Sequence, residues 1–232
     1  MTSKVRGISR NARSAADRLL RPVRRARIAR TLACLPQAPS FLVVCLGNVC
    51  RSPYAAHRLR EGFRVRGRSD IQIESAGLAL PGRPSPASAR IAARRRGLDL
   101  DQHVSQPVGT ELLRKADVVF VMSGRQKKQL RNRFGCVAPI LLLGDADPHQ
   151  HMPRAIKDPF ERPERVYAVA YDRLDRCCLA IADWMSAAHA RPGARCETEK
   201  ADDPADLRGK QPEETVDHAG RGDDGRPKAA AG

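Results

Sequence analysis

At 232 residues, with seven cysteines, 4% aromatic residues and a formal charge of +16, the chain is long enough to bury a core in one or two domains and too long to depend on a disulfide scaffold. The basic balance favours anionic partners, but so few aromatics argue against single-stranded nucleic acid read by base stacking. No apolar run reaches the roughly eighteen residues of a membrane-spanning helix. No secretory signal is visible either, so the compartment reads as reducing and cytoplasmic.

Residues 1–40 carry ten Lys and Arg against one acid, with Leu19, Leu20, Val23, Ile28 and Leu32 scattered among the charges. Composition alone predicts a poorly ordered basic extension; an arm touching an anionic surface is the alternative. At residue 41 the pattern changes. FLVVC (41–45) is a continuous apolar run, as expected of a strand buried on both faces of a parallel sheet. SPYAAHRLREGF follows as a helix, with Ser52 as N-cap and Pro53 in the first turn. IQIES (71–75) alternates like a strand, PASARIAARRRG reads as a helix closed by Gly97, and ADVVFVM (116–122) as another buried strand. GRQKKQLRNRFG is helical, PILLL (139–143) strand-like, and residues 164–185 form a long amphipathic helix.

This alternation predicts one α/β domain over residues 41–189, a doubly wound sheet of about four parallel strands with helices on both faces. Residues 190–232 lack apolar periodicity and read as a disordered tail.

In open parallel sheets, ligands sit beyond the carboxyl ends of the strands, where Cys45 falls. A loop running from a strand into a helix N-terminus collects free backbone N–H groups and suits an anion. Gly47 lets that backbone come close, Asn48 tolerates a left-handed conformation, and Arg51 offers a planar fork for two phosphate oxygens. The same fields favour the nucleophilic thiolate of Cys45. Neither of the glycine-rich nucleotide motifs occurs. The competing readings are a cysteine that merely packs and a chance pairing of Cys45 with Arg51.

VCLGNVCRSP (44–53) resembles the phosphate-binding signature of the low-molecular-weight protein tyrosine phosphatases, in their bacterial branch. The likeness runs from about Leu42 to Met185, through ESAG (74–77), GLDLDQH (97–103), ADVVFVM and KDPF (157–160), and covers neither tail. It implies that Cys45 is the nucleophile and that a loop of Leu46, Gly47, Asn48, Val49, Cys50 and Ser52 holds the phosphate with Arg51. It further implies that Ser52 assists the thiolate, that Asn48, Ser52 and His103 brace the loop, and that Asp158 is the general acid and base. By the same likeness Phe160 stands where a tyrosine usually walls the cleft, and Glu161 where some members have a second aromatic. Val49 matches members directed at phosphotyrosine, since those acting on phosphoarginine carry threonine there. Cys50 corresponds to a second loop cysteine able to pair reversibly with Cys45. Ala56 and His57 replace an acid, and Ser123 replaces another.

Asp145 and Asp147 read as turn residues after the PILLL strand. His149 and His151 read as a solvated loop rather than a metal site, and Cys177 and Cys178 as helix packing. No metal or cofactor is expected. The resemblance points to a phosphotyrosine protein as partner, such as a tyrosine autokinase governing exopolysaccharide export, and no specific nucleic acid is expected. Two other functions compete. A thioredoxin-coupled arsenate reductase needs further cysteines about 70 to 80 residues after the loop, and residues 110–130 have none. A phosphate-binding module without turnover would not need the acid.

Overall fold

The computed structural model describes residues 17, 19–135, 138–149 and 151–189. The expected disordered tail at 190–232 and residues 1–16 of the basic extension lie outside the described residues.

Four parallel strands, β1 (Ser40–Cys45), β2 (Gln72–Gly77), β3 (Val118–Val121) and β4 (Ile140–Leu142), form one sheet in the order β2-β1-β3-β4. Preceding them is helix α1 (Arg21–Ala33); between and after them run α2 (Arg51–Arg64), α3 (Ala87–Arg94), α4 (Thr110–Lys115), α5 (Gly124–Phe134) and α6 (Glu164–His189). A 3₁₀ turn, Leu143–Ala146, follows β4.

Residues alternate along β1 between two faces, so its continuous apolar run feeds two cores. Phe41, Val43 and Cys45 point to a core shared with α1, α2, α3 and α6; Leu42 and Val44 point to a second, shared with Leu113 of α4 and Leu130 of α5. Phe41 packs edge-on to Phe63 and Phe120, with ring centroids 5.6 Å apart in each pair. The strand order reverses at β1, with β2 on one side and β3 on the other. This switch point opens a crevice at the carboxyl end of β1.

Three local differences from the sequence reading have physical causes. Residues 21–33 are a helix rather than a poorly ordered arm: Ile28 and Leu32, one turn apart, are buried in the first core, while Leu19, Leu20 and Val23 stay exposed. The surrounding arginines hid a stripe only two residues wide. Helix α2 begins at Arg51, and Ser52 makes no cap because its hydroxyl is turned back toward Cys45. Ser123, where the family often has an acid, is the N-cap of α5, its hydroxyl accepting from the Gln126 amide at 3.4 Å. Among the described residues no helix is long and apolar enough to cross a membrane.

Candidate active site

The loop from Cys45 to Arg51 folds back on its own strand. Asn48 adopts a left-handed conformation, φ 51°, which its short polar side chain tolerates. That turn aims its backbone N–H at Cys45 Sγ, 3.2 Å away, while the Ser52 hydroxyl donates to the same sulfur at 3.1 Å.

Asn48 is fully buried and all its polar groups are used. Its Nδ2 donates to Ser52 Oγ and to Ser75 Oγ, each at 2.9 Å, and its Oδ1 accepts from the Gln106 amide at 3.0 Å. Its carbonyl lies 2.6 Å from His103 Nε2; a carbonyl only accepts, so Nε2 carries the proton. Burial lowers the pKa of His103, against the opposing pull of that hydrogen bond, which keeps the ring neutral near pH 7. Asn48 thus bonds both Ser52 and His103. Ser75, Gly77 and Gln106 join them, and were not singled out from the sequence, although ESAG contains two of the three. A Cβ on Gly77 would stand 3.0 Å from the Asn48 amide nitrogen, from Asn48 Cβ and from the Ala79 carbonyl. No larger residue fits there unless the loop moves.

Cys50 differs from Cys45. Burial pushes its thiol up to about 12, partly offset by its contact with Tyr167 and reinforced by Cys45. It remains a neutral thiol, donating to the Tyr167 hydroxyl at 3.8 Å. Cys177 and Cys178 are buried free thiols pushed upward by burial, and belong to the packing of α6.

Arg51 is buried under the loop. Its Nη1 donates to the Ile156 carbonyl at 3.0 Å, its Nη2 pairs with the Asp158 carboxylate, and its Nε is buried without a partner. Asp158 is 40% exposed and its Oδ1 accepts from the Phe160 amide at 3.3 Å. Cys45, Arg51 and Asp158, together with Leu46, Val49 and Phe160, line one cavity of about 40 Å³, on the scale of a water or two. Leu80, itself left-handed at φ 60°, completes the wall, its Cδ1 3.1 Å from where a Cβ on Gly47 would be. Val49, Leu80 and Phe160 also line, with Arg83, Arg162 and Tyr167, a groove of about 520 Å³.

Asp147 does more than turn the chain. It is fully buried, and its carboxylate accepts from Arg173 Nε at 3.0 Å, from Arg176 Nε at 3.1 Å and from the His149 amide at 3.1 Å. Burial would raise its pKa; the bonds and charges of Arg176, His149 and Arg173 outweigh that and lower it. Asp145 makes a two-pronged pair with Arg154, at 2.9 and 2.7 Å. The Asp147 carboxylate is therefore occupied by arginine and the His149 amide rather than by the imidazole of His149 or His151.

The family profile of low molecular weight phosphotyrosine protein phosphatase matches residues 40–190. The chain belongs to that family. Its members are hydrolases, and the matched span begins at β1, leaving helix α1 outside it. Among relatives, EpsP of Ralstonia nicotianae, named as a probable low molecular weight protein-tyrosine-phosphatase, is 32% identical over 134 residues, covering 54% of this chain and 89% of EpsP. The crystal structure of the tyrosine phosphatase AmsI of Erwinia amylovora superposes with a TM-score of 0.57 at 26% identity, over 63% of this chain and 93% of AmsI. The YwlE arginine phosphatase of Geobacillus stearothermophilus does so with a TM-score of 0.55 at 27% identity, over 62% and 91%. The shared fold therefore spans two substrate chemistries.

Proposed function

We propose that the protein hydrolyses phosphotyrosine through a phosphocysteine on Cys45. One observation carries this reading: two hydrogen-bond donors converge on Cys45 Sγ in the same small cavity that holds Arg51 and Asp158.

The cavity is nearly filled because Asp158 lies on Arg51. A phosphoryl dianion is the stronger partner for a guanidinium and takes the place of the carboxylate, using the unpartnered Nε and the released Nη2. Asp158 is thereby set free beside the leaving oxygen and takes a proton from solvent. The Cys45 thiolate attacks phosphorus, the bond to the phenolic oxygen breaks with its electron pair, and the Asp158 carboxyl supplies the proton. In the second step the Asp158 carboxylate takes a proton from water as that water attacks phosphorus. The phosphorus–sulfur bond breaks, and the thiolate returns to the donors from Ser52 and Asn48. The loop amides and Arg51 stabilise the charge on the equatorial oxygens throughout. Phe160 and Leu80 flank the entrance and stack on the substrate ring.

Val49 and the likeness to bacterial members support phosphotyrosine over phosphoarginine, and a tyrosine autokinase of exopolysaccharide export as the protein substrate. The test is turnover of a phosphotyrosine peptide and of a phosphoarginine peptide by wild type and Cys45→Ser. The expected result is hydrolysis of the first alone, lost in the variant. Full activity in Cys45→Ser would sink the mechanism, and preference for phosphoarginine would sink the substrate reading. Thioredoxin-dependent turnover of arsenate would support the competing reductase.

A further inference from the structure

Helix α1 precedes the span shared with the family, yet it is fastened to the segment that leads into Asp158. Ile28 and Leu32 seat it in the core against α6. Arg25 stacks over the Trp184 ring at 4.8 Å and donates to the Ala146 carbonyl at 2.5 Å. Arg21, 7% exposed, reaches further: its Nη2 donates to the Asp147 carbonyl at 2.5 Å and its Nη1 to the Met152 carbonyl at 2.9 Å.

From Met152 the restraint continues along the chain. Arg173, held by Asp147, takes the Pro153 carbonyl and, at 2.8 Å, the Ala155 carbonyl. The Ile156 amide donates to the Met122 carbonyl at 2.9 Å, and the Ile156 carbonyl accepts from Arg51. Two residues later comes Asp158. Arg21 therefore ties Asp147 to Met152 and, beside Arg25 on the Ala146 carbonyl, holds the approach to Asp158 from outside the span matched by the family.

We infer that Arg21, presented by α1, is a positioning residue for Asp158: its bonds to the Asp147 and Met152 carbonyls set where the acid loop starts and so where the carboxyl meets the leaving oxygen. The inference rests on the reading of Asp158 as proton donor. A small misplacement of a proton donor costs rate when the leaving group is a poor one and costs little when it departs unaided.

The experiment measures kcat and KM of the full chain on a series of aryl phosphates with leaving groups from good to poor, for wild type, Arg21→Ala, Arg21→Lys, Asp158→Ala and the double variant. Inhibition by inorganic phosphate reports whether the Cys45 loop is intact. The expected result is a loss in kcat/KM, which reports the leaving-group step alone, of about 10-fold for Arg21→Ala on phenyl phosphate and far less on a dinitrophenyl ester, with phosphate inhibition unchanged. Arg21→Lys should recover part of it, and Arg21→Ala should add nothing on the Asp158→Ala background. If Asp158→Ala shows the leaving-group dependence and Arg21→Ala does not, the inference is overturned while the mechanism stands. If Asp158→Ala shows none, the proton-donor reading falls and takes the inference with it. An equal loss on all esters with weakened phosphate inhibition would mark Arg21 as structural support only, and would also overturn it. Protection of the 152–158 amides from hydrogen exchange, lower in Arg21→Ala than in wild type, is the accompanying physical readout.

Discussion

The two loops that meet at the cavity are built in opposite ways. The Cys45–Ser52 loop closes first on itself: the amide of Asn48 and the hydroxyl of Ser52 close onto a sulfur three and seven residues back, and Asn48 Nδ2 bonds Ser52 four residues on, with Ser75, Gln106 and His103 bracing Asn48 from outside. The loop from Leu143 to Asp158 has bonds of its own as well, from Arg154 to Asp145 and from the His149 amide to Asp147. It is hung on guanidinium groups brought by other elements: Arg51 from α2, Arg173 and Arg176 from α6, Arg21 and Arg25 from α1. A local loop keeps its shape whenever strand and helix meet. A loop hung on distant arginines keeps its shape only while the whole molecule does, so the two should fail separately.

Asp147→Asn gives the largest expected effect. Its carboxylate is fully buried between Arg173 and Arg176, and removing its charge leaves Arg173, 4% exposed, without a counterion. Breaking a buried pair in this manner costs about 3–5 kcal/mol. A urea titration should show the loss, and the protein that remains folded should still bind inorganic phosphate. A change below about 1 kcal/mol, the scale of an exposed pair, would mean that the acid loop does not hang on this charge.

Gly77→Ala probes the other loop and should cost less, about 1–3 kcal/mol for forcing a methyl group into filled space. The new Cβ meets Asn48 rather than the acid loop. Inhibition by phosphate should weaken for every substrate alike, with no dependence on leaving group. A variant that binds phosphate normally would show that the Asn48 turn has slack.

The contrast also explains what was legible beforehand. The four strands, their parallel order and the Cys45 loop announce themselves through continuous apolar runs and through residue types needed within eight positions. Asp158 was found by resemblance, since nothing local to KDPF distinguishes it from Asp147. The role of Asp147 was not legible: its partners lie 26 and 29 residues away on α6, whose amphipathic pattern assigns no partner to its arginines. Helix α1 was missed because only Ile28 and Leu32 carry its apolar stripe, and its arginines bond carbonyls, which leave no mark in a sequence. Helix α4, six residues long, is too short for a periodic signal.

The smallest predicted effect separates the loops by pH. Burial lowers His103, and lowers His57 with help from the charges of Arg60 and His103. For both rings the folded state holds a proton less readily than the unfolded chain, whose value is near 6.5. Below that pH the unfolded state binds more protons, so stability is full above about 6.5 and declines as pH falls through this window. Asp147 works on a separate range: its folded pKa is depressed below 3.8, so the stability it contributes is present above that value and is lost only under strong acid. Thermal unfolding should therefore soften in two steps. His103→Asn removes one of the two groups responsible for the first step and should flatten it, leaving the second in place. Because His103 bonds the Asn48 carbonyl, inhibition by phosphate should follow the first step and ignore the second. If His103→Asn left the upper window unchanged, the protons taken up there would belong to His57 and the Cys45 loop would be insensitive to pH in this range.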